Sequence, residues 1–318
     1  MILTVTPNAA VDKTYRIEDF TLDKVNRPSQ TTTVAGGKGI NVARVYQIFG
    51  GKAVATGFLG GINGRIVARA LAAEQIESDF IHVRGETRIC IAVIDPLNGS
   101  QTEINEQGPE ISRYAVRELL RRVERLLSQQ SYEFVVLSGS LPPCAPLNLY
   151  CDLLAIAKRA GVPGVLDTSG LALREAVQCQ PWMLKPNIAE LETLLGTKLD
   201  DFDKAVDAAK SLLHGGTEIV ALSLGAEGAV VVSRSGIWRA VPPKIDFASA
   251  VASGDSFVAA FLWAWSHGSS PASVECALRL ACGAGAANAA VIGAGLFERS
   301  SAEWLAEGTS IAPVAFSK

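Results

Sequence analysis

A short run of small residues that carries a single carboxylate lies near position 250 of this 318-residue chain. The run consists of Ala252, Ser253, Gly254 and Asp255, and an apolar helical pattern follows it directly. The first N–H groups of a helix have no partner inside the helix and lie at the positive end of its dipole, so such a turn suits an anion. Asp255 has two interpretations here: an ordinary first-turn acid, or a general base that removes a proton from an attacking hydroxyl.

Four further clusters of small and polar residues follow predicted strands or open predicted helices. They read AGGKGIN (35–41), LSGSLPP (137–143), LKPNIAE (184–190) and SLGAEG (223–228). Glycines at a helix start let backbone N–H groups approach a ligand, and polar residues after a parallel strand lie where open α/β sheets bind ligands. Each cluster alone is typical of a plain loop. Their joint presence in one chain predicts a site built from several strand ends.

Other signatures for nucleotide binding and hydrolysis are missing from the sequence. Neither GGKG (36–39) nor GGKA (50–53) is followed by the Ser or Thr of a P-loop, and no G-x-G-x-x-G follows the first predicted strand. The near miss GAGAAN (283–288) lies inside an apolar run and predicts helix packing, while ALSLG (221–225) lacks the first glycine of a nucleophile elbow. A dinucleotide-dependent dehydrogenase and a serine hydrolase are therefore disfavoured.

Short β-branched runs alternate with helical patterns through the middle of the chain, and these elements must position the clusters. The predicted strands cover 2–6, 134–138, 164–167, 218–224 and 229–233, and the predicted helices cover 39–49, 113–130 and 147–161. This alternation predicts right-handed βαβ crossovers in a doubly wound, mostly parallel α/β sheet. A length of 318 residues allows one large domain or two modest ones. The segments 11–34 and 87–105 lie outside the alternation and predict a small β-sheet that could close over a ligand as a lid.

Composition limits the classes of partner. A net charge of −3, with 48% hydrophobic and 19% charged residues, predicts an ordered protein without attraction to nucleic acid or anionic membranes. No signal peptide is predicted at the N-terminus, and the apolar run 276–297 contains Arg279 and Asn288, which favours a buried helix over a membrane span. The cysteines are Cys90, Cys144, Cys151, Cys179, Cys276 and Cys282. Since they lack metal-binding spacing, we expect reduced core thiols in a cytoplasmic protein.

The order and approximate spacing of the motifs resemble the ribokinase-like (PfkB) sugar kinases over nearly the whole chain. The motifs are TPNAAVD, GGKGINVAR, SGSLPP, KPNIAE, SLGAEGA and SGDSF. The stretch GETRICIAV, followed by QTEINEQGPEI, is typical of the branch that contains 1-phosphofructokinases and tagatose-6-phosphate kinases. The resemblance implies a single domain spanning 1–318 with a three-layer α/β/α fold, and a β-sheet lid within it that also forms a homodimer contact. It further implies ATP- and Mg²⁺-dependent phosphorylation of a ketohexose monophosphate, either fructose 1-phosphate or tagatose 6-phosphate.

The same resemblance assigns roles to individual residues. Asp255 matches the catalytic base, and the backbone of Ala252, Ser253 and Gly254 matches the anion hole for the transferred phosphoryl group. The substrate-binding candidates are Asp12, Gly37, Lys38, Asn41, Arg88, Arg27 and Ser138. The nucleotide-binding candidates are Lys185, Asn187, Ser223, Gly225 and Gly228. Glu190 and Asn187 match an N-x-x-E motif that organises Mg²⁺ through water. For Arg27, Lys38 and Arg88, a solvated charge on the protein surface is the alternative to a phosphate contact.

Two positions depart from the family pattern. Ala252 stands where the family usually has Gly, and its methyl group is harmless if φ is negative but costly if the turn needs a positive φ. Cys90 stands where many 1-phosphofructokinases carry Asn, and it favours tagatose 6-phosphate as the substrate. The two sugars carry their phosphates at opposite ends of a furanose, so one site could accept either by reversing the ring.

Two other functions stay open at this point. One is a kinase of an unphosphorylated sugar or nucleoside, which would need no cation for a sugar phosphate. The other is a sugar-phosphate-binding regulator without catalysis on the same fold, which Ala252 motivates.

Overall fold

Two β-sheets organise the structure, a computed structural model that describes residues 1–268 and 273–314 apart from the side chain of His214. In chain order the strands are β1 (Ile2–Thr6), β2 (Ala10–Arg16), β3 (Gln30–Gly36), β4 (Ala53–Gly60), β5 (Glu77–Ser78), β6 (Ile81–Val83), β7 (Arg88–Asp95), β8 (Ser100–Asn105), β9 (Phe134–Ser138), β10 (Gly164–Asp167), β11 (Met183–Leu184), β12 (Ile219–Ser223), β13 (Ala229–Ser233), β14 (Gly236–Val241) and β15 (Ser310–Pro313). The helices are α1 (Lys38–Ile48), α2 (Gly61–Ala73), α3 (Arg113–Gln129), α4 (Leu149–Arg159), α5 (Gly170–Ala176), α6 (Ile188–Leu195), α7 (Phe202–His214), α8 (Ser253–His267), α9 (Val274–Ala289) and α10 (Arg299–Glu307).

The larger sheet is mostly parallel. Its strand order is β15-β14-β13-β12-β11-β10-β9-β1-β4-β5, with β6 also paired to β4. The pairs from β5 across to β12 are parallel, whereas β12, β13, β14 and β15 pair antiparallel at one edge. The predicted doubly wound sheet is thus confirmed, and the structure adds an antiparallel edge. Short connections join β12 to β13 and β13 to β14, whereas β15 returns to this edge after α8, α9 and α10.

Helices cover both faces of this sheet and produce three layers. The core on one face joins the sheet to α1, α2, α8, α9 and α10, and the core on the other face joins it to α3 through α7. Strand β9 illustrates the alternation, because Phe134 and Val136 enter the first core while Val135 and Leu137 enter the second. Burial on both faces explains why the central strands read as continuous apolar runs. The three-layer α/β/α prediction is confirmed.

The smaller sheet, called the lid sheet below, has the strand order β3-β2-β7-β8. It is built from the two segments, 11–34 and 87–105, that the sequence analysis separated from the main alternation. Strands β2 and β7 pair parallel, while the two outer pairs are antiparallel. A parallel pair needs a long connection, and here the chain passes through part of the larger sheet between β2 and β7.

The cysteines depart from the prediction of reduced core thiols. Cys282 is buried, but Cys144 and Cys276 are exposed. Cys151 in α4 and Cys179, three residues beyond α5, form a disulfide with their Cα atoms 5.5 Å apart. The prediction is wrong for this pair, because the return of the chain after β10 brings together residues whose sequence separation of 28 carries no pairing signal.

The apolar run near the C-terminal end forms a packed helix. Most of it lies in α9, whose Ala, Leu and Gly residues are buried against neighbouring helices. Over the described ranges, 1–268 and 273–314, no helix combines the length and the apolar character needed to cross a membrane.

Candidate active site

A cavity of about 1100 Å³ lies between the lid sheet and the carboxyl ends of the central strands. It gathers residues from the predicted clusters at 35–41, 184–190 and 223–228 and from the turn before α8. The predicted site residues that line it are Asp12, Gly37, Lys38, Asn41, Arg88, Lys185, Asn187, Ser223, Gly225, Gly228, Ala252, Ser253, Gly254 and Asp255. Strand ends that are far apart in the sequence therefore meet at one edge of the sheet, as expected for an open α/β fold.

Three predicted site residues do not line this cavity. Ser138, the last residue of β9, is fully buried, and its hydroxyl has no hydrogen-bond partner within the described chain. Arg27 is exposed in the connection between β2 and β3. Glu190 lies one turn into α6, where it forms a capping box with Asn187.

A second cavity of about 440 Å³ adjoins the first at Arg88. The predicted cluster at 137–143, which does not line the larger cavity, lines this one through Ser140 and Pro142, together with Asn8. The Asn8 side chain donates to the Ser140 hydroxyl at 3.1 Å. Ser140, two residues beyond the predicted Ser138, is thus the hydroxyl of this cluster that faces a cavity.

The turn before α8 supplies the backbone donors of a candidate anion hole. The N–H group of Ser253 donates to the carbonyl of Ala250 at 3.2 Å and is therefore occupied. Across the described residues, the N–H groups of Ala252, Gly254 and Asp255 have no acceptor. The donors left for an anion are therefore those of Ala252, Gly254 and Asp255 rather than the continuous run 252–254.

Ala252 holds a left-handed backbone conformation, with φ 64° and ψ 7°. The sequence analysis left open whether φ at this position is negative or positive, and it is positive. The methyl group of Ala252 therefore costs about 1 kcal/mol of strain relative to glycine. Such strain persists where the surroundings fix the backbone. Here the Asn288 side chain donates to the Val251 carbonyl at 2.6 Å, and the Val251 N–H donates to the Ser249 hydroxyl at 3.2 Å. The turn keeps its shape without the glycine.

Asp255 has the properties of a general base. Its carboxylate is almost fully buried and accepts a hydrogen bond from the Asn41 side chain at 2.8 Å. Burial raises the pKa of Asp255 to about 6; the Lys38 ammonium opposes this rise and the Asp167 carboxylate adds to it. A base with a pKa just below neutrality is ionised at neutral pH and can still accept a proton effectively.

Asn41 is oriented by Arg44, which lies one turn later on the same face of α1. The Arg44 guanidinium donates to Asn41 Oδ1 at 3.0 Å. Since arginine only donates, the amide oxygen of Asn41 must face Arg44 and its NH₂ group must face Asp255. The sequence analysis assigned Asn41 to the substrate, whereas the structure gives one of its donors to Asp255.

The Arg44 side chain donates all five of its N–H groups to hydrogen bonds. The sequence analysis did not identify this residue. Besides Asn41, its partners are the two carboxylate oxygens of Glu74 and the backbone carbonyls of Ala35 and Ala294. This buried guanidinium joins α1, α2, the end of β3 and the loop before α10. The only sequence signal was the Arg in NVAR, directly after the predicted GGKGIN motif.

Asp167, at the end of β10, organises two lysines and was also missed. Its buried carboxylate lies 2.8 Å from Lys38 Nζ and 3.5 Å from Lys185 Nζ. Burial favours its protonated form, but the two lysines outweigh burial and lower the pKa of Asp167. Burial likewise disfavours the charged Lys38, yet Asp167, Asp255 and Glu190 outweigh it and raise the pKa of Lys38. The Lys38 ammonium therefore stays charged at the cavity wall.

Lys185 also reaches the turn before α8. A side-chain carbon added at Gly254 would lie 3.3 Å from Lys185 Nζ, so glycine lets the ammonium group approach the backbone donors closely. Backbone N–H groups and a lysine thus converge on the same side of Asp255, an arrangement suited to a phosphoryl group.

The lid sheet contributes an acid and a guanidinium. Burial raises the pKa of Asp12 to about 6 against the lowering effect of Arg88 and Arg44. The Asp12 carboxylate occupies the space where a side chain at Gly36 would stand. Arg88 donates to the carbonyls of Asn8 and Glu106 at 3.2 and 3.3 Å, which holds it at the junction of the two cavities.

The far side of the cavity contains the Asn187–Glu190 pair and the turn after β12. Asn187 Oδ1 accepts from the Glu190 N–H at 2.8 Å, and Glu190 Oε2 accepts from the Asn187 N–H at 2.9 Å. Gly228 has φ 87°, and a side chain there would collide with the Ala240 carbonyl. Glycine is therefore required for this turn to pack against β14.

The donor set fits Mg²⁺ held through water rather than in a protein cage. One oxygen of the Glu190 carboxylate remains outside the capping box, and Mg²⁺ prefers oxygen ligands while retaining several waters. Among the residues that the structure describes, no cluster of three or more His, Cys, Asp or Glu could hold a metal. The remaining ligands would come from nucleotide phosphates.

Comparisons with known proteins agree with this geometry. The chain matches the model of the pfkB family carbohydrate kinases over residues 5–300. It is 39% identical over 262 residues to a tagatose-6-phosphate kinase of Staphylococcus epidermidis, covering 81% of this chain and 83% of that one. A possible 1-phosphofructokinase from Thermotoga maritima superposes with a TM-score of 0.90 at 28% identity over 99% of this chain and 100% of that chain. Phosphofructokinase-2 from Escherichia coli, with substrates and products, superposes with a TM-score of 0.88 at 28% identity over 96% and 98%. This chain therefore belongs to the pfkB family of carbohydrate kinases.

Proposed function

We propose that this protein transfers the γ-phosphoryl group of ATP to the free primary hydroxyl of a ketohexose monophosphate, giving a ketohexose bisphosphate. The observation that carries the proposal is a buried carboxylate, Asp255, with a pKa of about 6 beside three unpaired backbone N–H groups in one cavity. Because the phosphoryl donor is ATP, the proposal includes the cytoplasmic location expected from the sequence.

Asp255 acts as the base in this mechanism. Held by Asn41, its carboxylate takes the proton of the sugar hydroxyl as the oxygen attacks the γ-phosphorus in line. The N–H groups of Ala252, Gly254 and Asp255 donate to the oxygens of the transferred group. Lys185 and Lys38 add positive charge where negative charge develops. Mg²⁺, when bound near Glu190, neutralises charge on the triphosphate.

The lid side of the cavity binds the sugar phosphate. Asp12 accepts hydrogen bonds from sugar hydroxyls, and Arg88 provides the cation that the phosphate needs. The smaller cavity beside Arg88, with the Asn8 amide and the Ser140 hydroxyl, offers room and donors for that phosphate. Arg27 and Ser138 receive no role in the proposal because neither lines either of the two cavities described above.

The nucleotide occupies the opposite side of the larger cavity. Asn187 and Ser223 stand side by side there through a bridge between their backbones, and Gly225 and Gly228 form the adjoining turn. Small residues at this turn let the nucleotide approach the backbone. The lid sheet, which lines the same cavity, excludes water that would otherwise accept the phosphoryl group.

Tagatose 6-phosphate is the preferred substrate in this proposal. A tagatose-6-phosphate kinase is 39% identical to this chain over 262 residues, and Cys90 lines the cavity two residues from Arg88. The test is ADP release from ATP with tagatose 6-phosphate, fructose 1-phosphate and fructose 6-phosphate. We expect the highest kcat/KM for tagatose 6-phosphate. Turnover with no phosphorylated ketohexose, or equal turnover with unphosphorylated sugars, would contradict the proposal.

We also propose that the protein forms a homodimer through the lid sheet. Strand β8 is an exposed edge strand of this sheet. Four large apolar side chains are exposed on the sheet or beside it: Leu22, Val25, Leu97 and Ile104. A cluster of exposed apolar residues next to an open strand edge favours burial by another chain.

A further inference from the structure

One side chain of the lid sheet reaches the segment that precedes the anion hole. Gln101 lies on β8, and its Oε1 accepts from the Ala250 N–H at 3.1 Å and from the Ser249 hydroxyl at 3.3 Å. Its Nε2 donates to the Glu103 carboxylate at 2.8 Å. Because a carboxylate only accepts, this contact keeps the nitrogen of Gln101 toward Glu103 and the oxygen toward the 249–250 backbone.

The other side of the same segment is fixed by α9. The N–H groups of Ala248 and Ser249 donate to the Ala289 carbonyl at 2.8 and 3.2 Å, and the Asn288 side chain donates to the Val251 carbonyl. The segment is therefore held between the body of the protein and the lid sheet. It leads directly into Ala252, whose strained φ depends on such restraints.

We propose that Gln101 is a positioning residue that couples the lid sheet to the anion hole. When the lid sheet lies over the cavity, Gln101 holds the 249–250 backbone and so sets Ala252 and the donors that follow it. Without that contact, Ala252 relaxes toward ordinary backbone angles and its N–H group turns away from the phosphoryl position. The anion hole is then complete only under a closed lid. This inference rests on the proposed function, since it assigns Gln101 a role in the same reaction.

The test uses two substitutions at one position. Gln101→Met keeps the length of the side chain but removes the acceptor. Gln101→Glu keeps an acceptor oxygen, and it is made and compared in a Glu103→Gln background so that no two carboxylates face each other. Gln47→Met is the matched control, because that glutamine makes one hydrogen bond to the Gln75 carbonyl outside the cavity. We expect Gln101→Met to lower kcat about tenfold with little change in the KM for the sugar phosphate. Gln101→Glu should stay closer to the wild-type kcat.

A second measurement reports on the anion hole itself. ADP with aluminium fluoride, in the presence of the sugar phosphate, imitates the transferred phosphoryl group. Gln101→Met should weaken binding of this mixture about tenfold and leave binding of ADP alone unchanged. Ser249→Ala removes both the hydroxyl donor to Gln101 and the acceptor of the Val251 N–H, and it should weaken binding of the same mixture. This variant also serves if Gln101→Met does not fold.

Two outcomes would overturn the inference. One is a Gln101→Met or Ser249→Ala protein with wild-type kcat and wild-type affinity for ADP with aluminium fluoride. The other is an equal loss in Gln101→Met and Gln101→Glu, which would mean that the acceptor oxygen is irrelevant. A wild-type protein that turns over none of the ketohexose phosphates would reject the proposed function instead. The two failures are therefore distinguishable.

Discussion

At the scale of single residues, burial of the proposed catalytic carboxylate, Asp255, lowers the stability of the folded protein at neutral pH. Burial raises the pKa of Asp255 from its ordinary value of 3.8 to about 6, so folding favours the protonated form of this side chain. The folded state then gains stability from this group below pH 4, and the gain is lost as the pH rises through about 6. At neutral pH the ionised base costs about 3 kcal/mol. Function and stability therefore oppose each other at this position.

Asp255→Asn separates these two effects. We expect kcat to fall by a factor of roughly 10² to 10⁴ because no base remains to take the proton. Thermal unfolding at pH 8 should occur at a higher temperature than in the wild type, whereas at pH 5, where Asp255 is already protonated, the difference should shrink. In the wild type, kcat/KM should rise with pH through about 6. Wild-type turnover in the variant, or a pH-independent change in melting temperature, would remove Asp255 from this role.

Ala252 gives a second prediction at this scale. Ala252→Gly removes the methyl strain of about 1 kcal/mol at φ 64°, while glycine adds a similar entropy to the unfolded chain. We expect the free energy of unfolding to change by less than about 1 kcal/mol and kcat to be retained. Ala252→Val, whose branched side chain tolerates a positive φ poorly, should lose both stability and kcat. Urea unfolding and steady-state kinetics on the two variants check this. Equal behaviour of Gly and Val would show that φ at this position does not matter.

At the scale of elements, the sequence predicted helices and strands well where apolar periodicity is strong. The predicted helix 113–130 is found at Arg113–Gln129, and the predicted strand 134–138 is found unchanged. Polar contacts between elements were harder to predict. Asp167 ends an ordinary apolar strand, and its pairing with Lys38 depends on strand order, which local pattern does not contain. The candidate anion-hole donors differ from the predicted run 252–254 at one position, because the tight turn occupies the Ser253 N–H and leaves that of Asp255 in its place.

Arg44 connects several elements to Asp255, because it orients the Asn41 side chain that donates to this carboxylate. Arg44→Lys keeps the charge but cannot serve five acceptors, so Asn41 loses its fixed orientation and Asp255 loses a donor to its ionised form. We expect the acid limb of the kcat/KM profile to move to higher pH, together with a loss of stability. Arg299→Lys is the control, since Arg299 also contacts a glutamate and a backbone carbonyl, which are those of Glu303 and Phe49 rather than partners of Asn41. An unchanged acid limb in Arg44→Lys would limit Arg44 to a structural role.

At the scale of the whole molecule, the fold could be predicted because it follows from alternation of strands and helices. The clusters could be assigned to one site because parallel strands end at one edge of a sheet. The Cys151–Cys179 disulfide and the parallel pairing of β2 with β7 could not, since both join segments far apart in the chain. The contact of Gln101 with the Ala250 N–H is of the same kind, at a sequence separation of 149.

The lid sheet also determines what the whole molecule presents to water. Side chains alternate along β8, so Gln101 and Glu103 turn toward the body while Ile104 is 57% exposed on the other face. Leaving several large apolar groups in water costs roughly 1.5–3 kcal/mol each relative to burial, which favours a dimer. We expect the wild type to elute at twice the chain mass with light scattering, and Ile104→Asp to shift it toward the monomer. Trp304→Asp, at an exposed apolar residue on α10, is the control and should leave the mass unchanged. A monomeric wild type at micromolar concentration would rule out the lid dimer. Because Gln101 faces the other side of β8, the effect of Gln101→Met on kcat should persist in the Ile104→Asp monomer.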